Sequence, residues 1–380
     1  MNGPSQAKLR ELKLHAGLAA ARLHRRTLRH VTVIGVTGSC GKTTTKELIA
    51  AALSSELRGR KSPGTGNGPA VVGKTILRTT NRDSFCVVEV AAGWRDGGVA
   101  RTAQVLRPHI AVVTNVGSDH RATFRTLEAI AAEKRALVAG VVHGGAAVLN
   151  ADDPLVLAMG DHFHGRILTV GRSPEAMLRA EDVQSAWPDP LSFTLCCDGR
   201  ELPVRTRLYG KHWVTSALAA LGVAEAMGVS LDRAAGALGT VEPAPNRMRA
   251  VTRNGVTFIQ DDAKAPFWAI DAIFEFLADA RAARKIVVIG TISDYPGAAS
   301  PKYRSTAQRA MAVADEVVFA GPNARHALKA KAGTDAGALH AFPTVPEAAA
   351  YLRSNLRDGD LVVVKGSRRA DRLDRLVLAL

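Results

Sequence analysis

The sequence predicts an α/β protein of two parts: a central domain with a mostly parallel sheet, and a C-terminal α/β domain of similar build. Three observations carry this. A β-branched run from Val31 to Val36 passes through a glycine turn directly into a helical stretch, TTTKELIAAAL. Short apolar runs then alternate with longer amphipathic ones along most of the chain, as strands joined by helical crossovers do. The 380 residues exceed one typical domain, and the proline-bearing segment GTVEPAPNRMRAV offers a linker, which places a boundary near 243. The expected division is a short basic helical extension at 1–30, a central domain at 31–243 and a C-terminal domain at 244–380.

Strand, tight turn and helix in VTVIGVTGSCGKTTTKELIA form a phosphate cradle of the P-loop type. Glycines let backbone N–H groups converge on phosphate oxygens at a helix N-terminus, where the helix dipole also favours an anion. Gly38, Ser39, Cys40, Gly41 and Thr44 would line it, Lys42 would reach the outer phosphates, and the Thr43 hydroxyl would ligate Mg²⁺. The common template wants a glycine five places before Gly41, where Val36 stands, so the match is to the variant TGxxGKTT. An ordinary glycine turn is the bland alternative; a Gly-Lys-Thr-Thr directly behind a strand outweighs it.

Composition bounds the rest. A chain of this size buries roughly 75% of its unfolded surface, and no uninterrupted apolar stretch is long enough to span a bilayer. No secretory signal opens the sequence. The four cysteines (Cys40, Cys86, Cys196, Cys197) have no CxxC spacing, which argues against a zinc ribbon and suits a reducing cytoplasm. The formal charge of +15 invites a nucleic-acid partner, but it is dispersed, and aromatics at 5% supply no stacking platform. Attraction of anionic small substrates is the milder reading.

In chain order, residues 5–30 form a basic helix for which docking on the body outweighs adsorption to a membrane, though a basic amphipathic helix leaves both open. The glycine-rich KSPGTGNGPAVVGKTIL runs from loop into helix, with Asn67 a candidate cleft residue. FCVVEVA is a buried strand ending in an acid, and such a carboxylate needs a partner, water or a metal, so Glu89 is a candidate Mg²⁺ ligand or water orienter. The strand HIAVVTNV brings Asn115, Asp119 and His120 to the same C-terminal sheet edge, where ligands of α/β proteins bind. In the helix RTLEAIAAEKRALVAGV, Leu127, Ile130, Ala131 and Leu137 are the apolar face, and pattern alone leaves Lys134 a solvated lysine. AAVLN is a further strand. RILTV, LSFTLCC and ELPVRT suggest antiparallel decoration from 165 to 207. Beyond the linker, VTFIQ, KIVVIG, EVVFA, ALHAF and LVVVK alternate with helical stretches.

Together these motifs resemble the Mur ligase superfamily, the ATP-dependent amide-bond ligases that include folylpolyglutamate synthase and the C-terminal half of cyanophycin synthetase. The resemblance covers TGSCGKTTT, the acid ending FCVVEVA, TNVGSDH, LEAIAAEK, VLNADDP, GKHxxxSALAA, NRMR, DDAKAP and VVVKGSR, from about Val31 to the C-terminus. TNVG, LNADDP and KGSR look most like the subgroup that adds a D-alanyl-D-alanine dipeptide. It implies a P-loop-type central ATPase domain followed by a Rossmann-like C-terminal domain. It further implies that Lys42 and Thr43 hold the β- and γ-phosphates and a first Mg²⁺, that Glu89 and His120 complete the metal's surroundings, and that Lys134 is carbamoylated and faces a second Mg²⁺. Closure of the C-terminal domain would bring Arg247 to the phosphates and Asp262 to the ribose. Lys264 joins the nucleotide set in only some subgroups. Trp213 and Ser216 stand where members often carry Asn, with Ser216 still able to bond adenine.

Peptidoglycan members carry an N-terminal domain that grips a UDP-sugar, and the thirty residues before Val31 are too few for one. The expectation is a smaller carboxylate, or a carrier or partner protein that presents it, joined to an amino acid or other small-molecule amine through an acyl phosphate. Two other readings stay open: a P-loop ATPase or kinase that makes no amide, and a non-catalytic nucleotide- or nucleic-acid-binding protein.

Overall fold

The computed structural model describes residues 4–92, 97–119, 123–331 and 338–379. Its contacts divide the chain into two units, one of Met1–Val183, Ser192–Thr206 and Trp213–Val241, the other of Gln184–Leu191, Arg207–His212 and Glu242–Leu380. Two short excursions thus leave the first unit. They are tied to the second by their own bonds: Trp187 packs on Tyr209 with ring centroids 4.9 Å apart, Leu191 N donates to Leu208 O at 2.7 Å, and Arg281 N donates to Trp187 O at 2.9 Å.

In the first unit, strands β1 (Thr32–Thr37), β2 (Gly59–Lys61), β3 (Phe85–Glu89), β4 (Ile110–Val113), β5 (Ala146–Asn150), β6 (Arg166–Gly171), β7 (Leu178–Gln184), β8 (Ser192–Cys197) and β9 (Arg200–Arg205) form one sheet in the order β2-β3-β1-β4-β5-β6-β7-β8-β9. From β2 through β6 every pairing is parallel. The central strands are buried on both faces, which is why they read as continuous Val/Ile/Ala runs rather than alternating ones. Successive strands lie to opposite sides of β1, so the crevice at its C-terminal end is the topological switch point.

Helices α1 (Pro4–Arg25), α2 (Lys42–Ser54), α3 (Pro69–Arg78), α4 (Gly98–Leu106) and α5 (Leu127–Ala139) cover the sheet with α6 (Pro154–Leu157), α7 (Val214–Ala226) and α8 (Leu231–Leu238). Val33, Val88, Val113, Leu137 and Leu149 belong to one core cluster beneath them. The antiparallel expectation for 165–207 is corrected for RILTV and holds between LSFTLCC and ELPVRT. β6 runs parallel to β5, and β7 parallel to the end of β6, because the turn of α6 carries the chain back before β6 begins; β8 and β9 pair antiparallel, across the tight Asp198-Gly199 turn.

The second unit holds β10 (Arg249–Arg253), β11 (Val256–Asp261), β12 (Arg284–Ile289), β13 (Glu316–Ala320), β14 (Leu339–Phe342) and β15 (Asp360–Lys365) in the order β10-β11-β15-β12-β13-β14, parallel except for β10. Helices α9 (Asp271–Asp279), α10 (Ala299–Met311), α11 (Val345–Asn355) and α12 (Asp374–Ala379) connect or follow these strands. β10 begins within the end of the stretch expected to be linker; it is an edge hairpin partner of β11. The α/β architecture is therefore as the sequence predicts. No helix among the described residues is long and apolar enough to cross a membrane.

Candidate active site

At the end of β1 the chain turns through Gly38, at φ +149°, and Gly41, at φ +81°, into α2. A Cβ on Gly38 would stand 1.9 Å from Thr114 Oγ1, so only glycine fits the approach to β4's continuation. Asn115 pins the loop from outside: its Oδ1 accepts from Ser39 N at 3.1 Å and Cys40 N at 2.8 Å, while Thr114 Oγ1 donates to Cys40 O at 2.7 Å. The start of α2 has no side-chain cap, leaving the early N–H groups available for an anion. Lys42 folds back over the loop, donating to Gly38 O at 2.6 Å and Ser39 O at 3.2 Å.

Glu89, at the end of β3, is 2% exposed and fully engaged. Thr43 Oγ1 donates to its Oε2 at 2.8 Å, and Asn67 Nδ2 donates to its Oε1 at 2.9 Å. The cradle helix, the glycine-rich loop and β3 therefore converge on one buried carboxylate. One helical turn beyond Lys42, the buried Lys46 donates to Ser62 O at 2.9 Å and to Gly64 O, which holds that glycine-rich loop against α2.

Lys134 is wholly buried, and its Nζ has no hydrogen-bond partner among the described residues; Asp119 Oδ1 forms an ion pair with it at 3.5 Å and accepts from Ser39 Oγ at 2.7 Å. Burial pulls the Lys134 amine down to about 8, against an opposing pull from the Asp119 charge. The next residue back, Glu133, accepts from Gly97 N at 3.0 Å and Val99 N at 2.7 Å and so caps α4.

The second unit carries its own cluster. Asp262 is 0% exposed; Asn246 Nδ2 donates to its Oδ1 at 2.6 Å, and Oδ2 has no partner among the described residues. Burial raises this carboxyl above its ordinary value, with Asn246 opposing. Arg247 is half-buried, its Nη1 donating to Asn246 O at 3.2 Å, and Lys264 is exposed. Lys365, at the end of β15, donates to Asp261 Oδ2 at 2.5 Å. Asp371 ties two strand ends together, accepting from Thr291 N at 2.7 Å and Ser367 N at 2.8 Å.

Residues 36–224 match the family profile described as Mur ligase middle domain, and residues 246–368 match Mur ligase, glutamate ligase domain. A UDP-N-acetylmuramoyl-tripeptide D-alanyl-D-alanine ligase of Mycobacterium bovis is 33% identical over 371 residues, covering 90% of this chain and 71% of the relative. The chain belongs to the Mur ligase family. The Escherichia coli ligase of the same name is 26% identical over 353 residues, covering 92% of this chain and 76% of its own length. Among solved structures, MurF from Acinetobacter baumannii superposes with a TM-score of 0.87 at 23% identity, covering 96% of this chain and 80% of that one. The Thermotoga maritima MurF ligase in complex with ADP gives 0.85 at 23%, covering 96% and 83%. Both share the fold. As a Mur ligase, the chain is an ATP-dependent acid–amino-acid ligase.

Within this Mur ligase, the structure brings together Gly38 to Thr44, Asn67 and Glu89 on one side of the cradle, and Asn115, Asp119 and Lys134 on the other. His120 lies outside the described residues. The solvated reading of Lys134 is corrected: it stands four residues after Ile130 and three before Leu137, on the buried face of α5. That spacing was the signal for it. Ser216 is 3% exposed beneath the cradle, where it accepts from Thr45 Oγ1 at 2.9 Å and lies 3.1 Å from a would-be Gly41 Cβ, so it seats α2 against α7. Lys46 carried no local signal, since a lysine in an early helical turn reads as exposed. Among the described residues no group of three or more His, Cys, Asp and Glu forms a ready metal cluster.

Proposed function

We propose that this Mur ligase transfers the γ-phosphoryl group of ATP to a substrate carboxylate, and that an amine then displaces phosphate from the acyl phosphate to form an amide, leaving ADP and phosphate. The observation that carries the reading is the buried Glu89 joined to Thr43 inside an anion-binding turn. The relatives' printed names make a UDP-N-acetylmuramoyl tripeptide the first acid to try and D-alanyl-D-alanine the first amine.

The division of labour follows the two units. In the turn Gly38 to Thr44 the uncapped N–H groups that open α2 bind the polyphosphate, while Asn115 holds Ser39 N and Cys40 N, and Lys42 swings from the loop carbonyls onto the outer phosphates, neutralising charge as two anions approach. From the second unit, Arg247 and Lys264 add cations at the nucleotide and Asp262 accepts from the ribose through Oδ2, which has no partner among the described residues. Residues 31–243 thus serve as the ATP-binding domain and 244–380 as the ligase domain.

Magnesium fits the donor set. Thr43 Oγ1 and Glu89 Oε2 are hard oxygens 2.8 Å apart, and Glu89 is a buried carboxylate with no cationic partner among the described residues. When bound, the ion spreads the γ-phosphate's negative charge; His120 and Lys134 are proposed to complete its surroundings and those of a second ion. A carbamoylated Lys134 suits that role. Its amine is buried, has no hydrogen-bond partner among the described residues and is pulled down to about 8 by burial, so a nucleophilic neutral fraction exists at ordinary pH, while Asp119 at 3.5 Å favours the ammonium.

The test incubates the protein and its Lys42→Ala variant with Mg-ATP, the muramoyl tripeptide and pools of amino acids and dipeptides, measuring ADP and new masses. An amide product that needs ATP and Lys42 is expected. No product, with ATP turnover equal to that of Lys42→Ala, sinks the proposal.

A further inference from the structure

The helix α1 has two apolar faces, and only one is used by the fold. Leu18, Ala21 and Arg25 face inward. A Cβ on Gly73 of α3 would meet Leu18 Cδ2 at 3.2 Å, and Arg25 Nε donates to Leu106 O at 2.6 Å at the end of α4. His24 Nε2 lies 2.8 Å from Thr79 O, closing the same side. The helix is therefore held along one stripe.

The other stripe is Leu9, Leu12, Ala16, Ala19 and Leu23, spaced alternately by three and four residues. Leu9 is 50%, Leu12 67% and Leu23 66% exposed, and both alanines are exposed. On a surface helix with its core-facing side already satisfied, three open leucines in register are not explained by folding. Taken as positions a and d of a heptad, the stripe has Lys8, His15 and Arg22 at every g position and Lys13 at its first e position, all exposed.

We propose that this face of α1 docks an α-helix of a partner protein that carries an apolar seam of the same three-four spacing, flanked by Glu or Asp. The spacing is that of a helix–helix seam, and the central alanines allow close approach of a second helix. A second copy of this chain is disfavoured through the same face, because its Lys8, Lys13 and Arg22 would meet like charges. A lipid surface is matched less well: the stripe is narrow, and α1 contains no aromatic residue to sit at the interface.

The test uses the whole chain and two labelled synthetic helical peptides, each with Leu at its a and d positions, one with Glu and one with Lys at e and g. Anisotropy titration is expected to favour the Glu peptide by at least about tenfold. Leu12→Asp combined with Leu23→Asp should weaken that binding by at least about tenfold, with thermal stability and ADP release unchanged. Lys8→Glu with Arg22→Glu should reverse the peptide preference. Equal binding of both peptides, or Glu-peptide binding indifferent to Leu12→Asp and Leu23→Asp, overturns the proposal. So does adsorption to anionic vesicles with no peptide binding.

Discussion

Glu89→Gln separates the electrostatic role of this residue from its structural one. The side chain keeps its shape, and both oxygens now have neutral counterparts. Hydrogen bonds to a charged acceptor contribute about 1.5–3 kcal/mol and neutral ones about 0.5–1.5, so weakening the two from Thr43 and Asn67 costs roughly 2–3 kcal/mol. Relief from burying an ionised carboxylate at 2% exposure offsets part of that, and the bond from Ser62 Oγ to the Glu89 backbone N–H is untouched. The melting temperature should fall by no more than about 10 °C. The chemistry suffers more. A unit charge removed at about 4 Å and an effective dielectric of about 20 forfeits up to roughly 4 kcal/mol, which corresponds to a drop in kcat on the order of 10²–10³. Steady-state ADP release, checked against amide product by mass spectrometry, measures it, with a thermal melt on the same sample. A kcat within about threefold of wild type in a folded Glu89→Gln protein would refute the reasoning.

Gly38→Ala places a Cβ 1.9 Å from Thr114 Oγ1; ATP affinity should fall at least about tenfold with a stability loss of about 1–3 kcal/mol, read by calorimetry and denaturant melts. Asn115→Ala removes the acceptor that Ser39 N and Cys40 N share, and the weakened cradle should raise the Kd for ATP by about tenfold while the fold holds, as circular dichroism would check. Lys134→Ala should lose activity and regain part of it with added short carboxylates if a carbamate works there; unchanged activity would remove Lys134 from the mechanism. Asp262→Asn should stabilise the protein and weaken ATP binding. Because burial raises the Asp262 carboxyl, the cost to stability builds as pH rises from the ordinary carboxyl value and is complete above the raised one, so the gain in melting temperature should be greatest at neutral pH and vanish in acid.

Much of the site was legible because its chemistry is local. A glycine turn between a buried strand and a helix reads as an anion cradle wherever it stands, and an acid closing an apolar run must find a partner, as Glu89 does. Lys134 was half legible, since its spacing from Ile130 and Leu137 places it inward, but charge argued for the surface. Lys46 was not legible at all. Its partners, Ser62 O and Gly64 O, are backbone atoms of a loop more than a dozen residues away, and carbonyls leave no mark on residue type.

By itself, the sequence determined most of the strands and helices, the glycine turn that opens α2, and that two α/β sheets follow one another, because periodicity and backbone constraint act over a few residues. Tertiary structure alone decided the direction of β6, the passage of 184–191 and 207–212 into the second unit, and the seating of Ser216 under Gly41. It also decided which of α1's two leucine faces is covered, because the burial of any face depends on what the rest of the chain brings against it.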